Sequence, residues 1–129
     1  SCYPMTCRSA LKNLEIIERE GLVENSRTVG ACLHEKLLGL KEKYDVIRDV
    51  RGRGLLQGME IEGTVHADKY GFGQKLYETM LENGLITELE SRRNLENVVV
   101  VMHPALITSR ENVDEAVEII DKSLHACLK

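Results

Sequence analysis

Ala10, Leu11, Leu14 and Ile17 recur at three- and four-residue steps, which predicts an amphipathic helix from about Met5 to Arg19 with a single buried stripe. Pro4 suits its first turn, where the missing N–H has no intrahelical partner, and Gly21 ends it. A second helix is predicted over Leu22 to Lys43, with Leu22, Val29, Leu33, Leu37, Leu40 and Tyr44 near one face. Arg27, Glu35, Lys36 and Lys41 fall on its solvent side. Two helices joined by a short glycine turn cannot bury both apolar faces without a further layer.

The period changes after Tyr44. Val46, Ile47 and Val50 precede Arg51-Gly52-Arg53-Gly54, and the alternation from Gln57 to Glu62 is that of a half-covered strand. A third helix is expected from about Asp68 to Asn83, burying Phe72, Leu76, Tyr77, Met80 and Leu81, with Asn83-Gly84 as its stop. Leu85 to Leu89 reads as a short strand and Glu90 to Asn97 as a charged turn. Val98 to Met102 is the strongest strand signal, and its lack of alternation predicts that both faces are covered. Pro104 breaks the ladder. Thr108 stands three residues before Glu111 as in a capping box, and a last helix turns Val113, Ala116, Val117, Ile120, Leu124 and Leu128 inward.

The order helix, helix, strand, strand, helix, strand, strand, helix defines an α+β fold: a small, largely antiparallel sheet with helices on one face. There is no internal repeat or low-complexity segment, so residues 1–129 are expected to form a single small domain. Composition agrees. An apolar fraction of 43% against 29% charged residues is that of an ordered domain, and a chain of this length buries roughly two-thirds of its unfolded surface without a disulfide or metal.

The net charge of -4 argues against a nucleic-acid partner, because backbone binding draws on a concentrated basic face. No apolar run approaches the ~18 residues of a membrane helix, and no signal-peptide pattern is visible. Cys2, Cys7, Cys32 and Cys127 lack paired spacing and, with scattered histidines, outline no zinc site. The expectation is a reduced, cytoplasmic chain with no membrane partner.

Few residues carry visible chemistry. His34, His66, His103 and His125 are isolated from one another, and His103, at the end of the strongest strand, is the best placed to face a site. Arg51-Gly52-Arg53-Gly54 admits two readings: an anion-holding turn, or a tight turn into a strand with arginines paired to Asp45, Asp49 or an adjacent domain. Its spacing matches neither the phosphate loop nor the dinucleotide fingerprint, and without interleaved aromatics it is weak support for RNA. Arg92 and Arg93, before the valine strand, are either a solvated turn or a loop that delivers a guanidinium to an anionic substrate. No lysine stands out as a Schiff-base candidate. Those on the predicted helices lie beside acidic or polar residues, where nothing depresses a pKa.

Taken together, Pro4-Met5-Thr6-Cys7-Arg8-Ser9-Ala10-Leu11, Leu14 through Leu22, Asp49-Val50-Arg51-Gly52-Arg53-Gly54-Leu55-Leu56, Asn83-Gly84-Leu85 and Pro104-Ala105-Leu106-Ile107-Thr108 resemble a known family. They are similar, in order and over nearly the whole chain, to the C-terminal small domain of class III pyridoxal-phosphate-dependent aminotransferases. Ala10 through Ile17 and Pro104-Ala105-Leu106 look most like the taurine- or β-alanine:pyruvate branch. The resemblance implies the C-terminal domain of fold-type I aminotransferases. It also implies a parent enzyme that moves an amino group from an ω-amino acid or amine to a 2-oxo acid.

In that family the cofactor is pyridoxal phosphate, held by a lysine that also shuttles the proton. The lysine and the other principal cofactor ligands belong to a large domain and a neighbouring subunit, upstream of the matched segment. The resemblance therefore implies that this chain lacks the large cofactor-binding domain, holds no cofactor alone and is inactive alone. Its partners would be that large domain, a homodimeric mate and a small ω-amino-acid or 2-oxo-acid substrate. Where the ornithine and 4-aminobutyrate branch carries a substrate-carboxylate arginine, this chain has Val101. Some ω-amino-acid enzymes place a mobile arginine further upstream, which makes Arg92 and Arg93 the candidate substrate-binding residues. No catalytic, cofactor-binding or metal-binding residue is assigned. The competing reading is a non-catalytic interaction module or pseudo-subunit that docks onto an aminotransferase-like partner.

Overall fold

The computed structural model describes residues 3–62, 69–90 and 97–129. Helices α1 (Pro4–Arg19) and α2 (Leu22–Lys43) lead into strands β1 (Ile47–Arg53) and β2 (Leu56–Glu62). Helix α3 (Lys69–Glu82), strands β3 (Glu88–Glu90) and β4 (Asn97–Met102), and helix α4 (Arg110–Cys127) follow. The strands form one antiparallel sheet in the order β1-β2-β4-β3. This is the expected α+β arrangement.

The core lies between one sheet face and α2, α3 and α4, where Leu37, Met59, Ile61, Leu76, Met80, Val100, Ile120 and Leu124 are almost wholly buried. Helix α2 contributes Leu22, Val29, Leu33, Leu37 and Leu40 at the predicted spacing. At its end the buried Tyr44 hydroxyl donates to an Asp121 carboxylate oxygen at 2.5 Å, and Lys43 donates to the same carboxylate, which ties α2 to α4. Gly84, at φ +92°, ends α3: its N–H donates to Leu81 O and the N–H of Leu85 to Met80 O, a Schellman arrangement. That wrap uses up Leu85, so β3 begins three residues later than the apolar run suggested.

Several expectations need correcting. No residue of α1 is buried; Leu11 and Leu14 are 68% and 58% exposed, because α2 is its main neighbour and no other described element covers the stripe. In β4 only Val98, Val100 and Met102 are buried, while Val99 and Val101 on the other face are half-covered, so helices cover one side of the strand and not both. Helix α3 leaves Leu81 exposed and Tyr77 half-buried, since its core face turns through Phe72, Leu76 and Met80. Leu128 is exposed beyond the end of α4, and Cys127 takes the inward place. The capping box is Ser109 with Asn112, not Thr108 with Glu111: Asn112 N–H donates to Ser109 Oγ, and Ser109 N–H to Asn112 Oδ1. Thr108 instead offers its carbonyl to Asn25 Nδ2, which also donates to Leu106 O and pins the β4–α4 connection to α2.

Candidate functional site

The face of the sheet away from the helices is the surface on which polar chemistry collects. Strand alternation and register place Asp49, Glu60, Val99 and Glu90 in one row across β1, β2, β4 and β3. Arg51, Gly58, Val101 and Glu88 form the next row. A register shift between Ile47 and Asp49 lets Val50 face the core while Arg51 and Arg53 turn outward. Together Arg51, Arg53, Leu56, Gly58, Glu90 and the two valines border an open groove of about 470 Å³.

Three of the four residues Arg51-Gly52-Arg53-Gly54 lie in β1, and the turn itself is Gly54-Leu55. Gly54 takes φ +55°, and a Cβ there would meet Ser26 Oγ at 2.5 Å. The Ser26 hydroxyl accepts the N–H of Leu55 and so fixes the turn to α2. Under it, buried Gln57 donates from Nε2 to Gly54 O and accepts at Oε1 from His34 Nδ1 at 2.9 Å. The Gln57 donor is committed to a carbonyl, so the network assigns the His34 proton to Nδ1.

Arg51 is already neutralised. It donates to Asp49 at 2.9 Å and to Glu60, and these bonds raise its pKa. Glu60 also accepts from Asn97 Nδ2 at 2.6 Å; that bond first and Arg51 second hold its carboxyl below the usual carboxylate range. Of the two open readings of this segment, the ion-paired strand applies to Arg51. Arg53 has no ion-pair partner among the described residues and borders the groove free to meet an anion.

The depressed Glu60 pKa gives a pH dependence. A carboxylate whose folded pKa is lowered contributes stability that is present above its unfolded value and is lost as pH falls through the folded one. Unfolding midpoints followed from pH 6 down to about pH 3 are therefore expected to decline less steeply in Glu60→Gln than in the parent chain. Parallel curves would remove Glu60 from the account.

Arg92 and Arg93 lie outside the described residues, as does His66. The strand residues that flank the two arginines, Glu90 and Asn97, both stand on or beside the Glu60 row. His103 is exposed, with Nε2 at 3.2 Å from Glu88 at the opposite end of β3. Gln57, Glu60 and Asn97 were missed by residue-type reasoning. For Gln57 the signal was present, since it is in phase with Met59 and Ile61 and so had to face the core.

The described residues do not fit pyridoxal phosphate. No lysine borders the groove; Lys36 donates to Asp114 and Lys43 to Asp121, bonds that raise both pKa values rather than freeing an amine. The carboxylates beside Arg51, Glu60 and Asp49, are both taken by that arginine. Among the described residues there is also no metal-binding cluster of His, Cys, Asp and Glu. The described residues shape and charge one wall of the groove.

This arrangement of sheet and helices recurs in known proteins. The family model described as aminotransferase class-III matches residues 1–124, and the chain belongs to that family. Its fold is that of fold-type I aminotransferases, and the family implies pyridoxal phosphate in full-length relatives. A taurine–pyruvate aminotransferase of Bilophila wadsworthia is 39% identical over 120 residues, which cover 89% of this chain and 26% of that protein. An (R)-1-hydroxy-2-aminoethylphosphonate ammonia-lyase of Vibrio splendidus is 33% identical over 124 residues, covering 94% of this chain and 25% of that one. The crystal structure of a Bacillus anthracis aminotransferase superposes with a TM-score of 0.84 at 29% identity, over 95% of this chain and 28% of that one. The chain thus spans about a quarter of the length of the relatives it matches.

Proposed function

We propose that this chain is the C-terminal, substrate-shaping unit of a pyridoxal-phosphate-dependent transaminase that moves an amino group from an ω-amino acid or amine to a 2-oxo acid. In this reading the cofactor is held by a large domain on polypeptide outside residues 1–129 and by a homodimeric mate, and the isolated chain is inactive. The observation that carries it is the match in order along nearly the whole chain to about a quarter of each relative, with no lysine at the groove. The exposed stripe of α1 supports it, since Met5, Leu11 and Leu14 would each contribute about 1.5–3 kcal/mol if fully buried against a second domain. The name of the Bilophila relative and the absence of an arginine at Val101 favour the ω-amino-acid branch. Cys7, Cys32 and Cys127 carry free thiols, in keeping with a cytoplasmic setting.

Two measurements test it. Mixing the purified chain with pyridoxal phosphate is expected to leave the cofactor's absorbance unchanged; a new band with stoichiometric loss of free cofactor would contradict the proposal. In a full-length parent, Arg92→Ala and Arg93→Ala, made separately, are expected to identify one arginine whose loss weakens carboxylate or sulfonate donors about tenfold or more while sparing neutral amines, the scale of a charge-assisted pair. Equal losses for both donor types would reject substrate recognition by these residues. The docking-module reading differs in one respect: it requires no lysine-bearing domain in the same reading frame.

A further inference from the structure

We propose that the outer edge of β1 pairs with the same edge of a second copy of this chain, joining the two sheets into one across a two-fold axis. β1 ends the sheet, and β2 is its only strand neighbour among the described residues. The turn between them is Gly54-Leu55, and a two-residue turn makes Arg53 and Leu56 a hydrogen-bonded pair. The ladder alternates from there. Arg51 and Asp49 direct their backbone groups to β2, while Gly52 and Val50 turn their N–H and C=O groups to the open edge. Gly52 is exposed and, having no side chain, exposes backbone. Neither a proline nor a bulge blunts the run from Asp49 to Arg53, since the register shift falls before it.

Charge selects the occupant and its register. An added antiparallel β1 bonds only where outward-turned residues oppose each other, so the pairing is centred on a single residue of the run. Centring on Asp49 or on Arg51 sets that charge against its own copy, and centring on Gly52 sets Arg51 against Arg53. Centring on Val50 sets Asp49 of each copy directly opposite Arg51 of the other. That is a non-hydrogen-bonded pair, where side chains stand closest. Within one copy Arg51 is shared by two carboxylates, Asp49 and Glu60, while Arg53 has no ion-pair partner among the described residues. In the Val50 register Arg53 lies diagonal to Asp49 of the second copy, within reach of a long side chain, so the surplus acid meets the unmatched arginine. The contact is self-complementary, as a two-fold interface requires. It is small for a protein interface, and the dimer is accordingly weak. The inference does not rest on the aminotransferase reading, because every residue belongs to this chain and no cofactor takes part.

The test combines sedimentation velocity with amide hydrogen exchange on the purified chain, from micromolar to millimolar concentration. A reversible monomer–dimer equilibrium is expected, and the Val50 and Gly52 amides exchange more slowly as the dimer fills. Asp49→Arg and Arg51→Asp, made separately, each oppose like charges twice across the two-fold axis and are expected to weaken the dimer about tenfold. Combined, they restore it, because Arg at 49 again faces Asp at 51 and also stands across from Glu60 within its own copy. Leu11→Lys with Leu14→Lys, on the exposed stripe of α1, is expected to leave the dimer intact. A chain that stays monomeric throughout, Val50 and Gly52 amides whose exchange ignores concentration, a dimer lost with the α1 changes, or a double charge variant no tighter than the single ones would each overturn the proposal. If a charge variant fails to fold by circular dichroism, the exchange of Val50 and Gly52 in the unaltered chain decides the matter, because it needs no substitution.

Discussion

Gly30→Ala destabilises this fold by about 3 kcal/mol, at the upper end of the usual cost of overpacking, while Gly39→Ala on the same helix stabilises it by about 1 kcal/mol. The two expected results have opposite signs for one reason. A Cβ on Gly30 would stand 2.1 Å from the carbonyl carbon of Gly54 and 2.2 Å from its oxygen, so α2 and the β1–β2 turn would have to separate. Backbone cannot swing aside as a side-chain tip does. Gly39 has nothing within 4 Å of an added Cβ, so the substitution simply removes the entropic cost of glycine in a helix interior. Urea unfolding of both variants beside the parent chain is the check. A Gly30→Ala protein whose midpoint moves by less than that of a typical surface change would refute the close approach of α2 to Gly54.

Gln57→Leu is the second large effect, a loss of about 2 kcal/mol. The leucine fits the volume but strands the Gly54 carbonyl and His34 Nδ1, both of which now find their partner in a side chain that is 2% exposed. Gly52 tightens the constraint, since a Cβ there would come within 2.6 Å of Gln57 Oε1. A double-mutant cycle with His34→Ala separates the network from generic packing. Once Gln57 is leucine, removing the imidazole should cost much less than it does in the parent chain. Strictly additive losses would show that the His34–Gln57 bond contributes nothing of its own.

The arrangement of elements was legible because each apolar run has one period: Leu22 through Leu40 recur at helical steps and Gln57 through Glu62 alternate. What escaped the sequence had physical causes. The spacing of Leu11 and Leu14 shows that α1 has an apolar face but not whether anything covers it. Val98 through Met102 hides its alternation because valine suits both a buried and a half-covered place on a sheet. The helix start moved from Thr108 to Ser109 because both hydroxyls qualify as caps and only the backbone chooses between them. For the site, two arginines in Arg51-Gly52-Arg53 looked equivalent. The register shift in β1 brings Arg51 beside Asp49 and Glu60 and leaves Arg53 without either, a distinction that depends on pairing across strands.

The shallow seat of α1 has a dynamic corollary. A helix resting mainly on one neighbour opens at a small free-energy cost, so its amide protons should exchange with solvent far sooner than those of β2 or α4. Slow deuterium uptake between Pro4 and Arg19 would then act as a reporter of assembly, appearing only when something has come to rest against that helix.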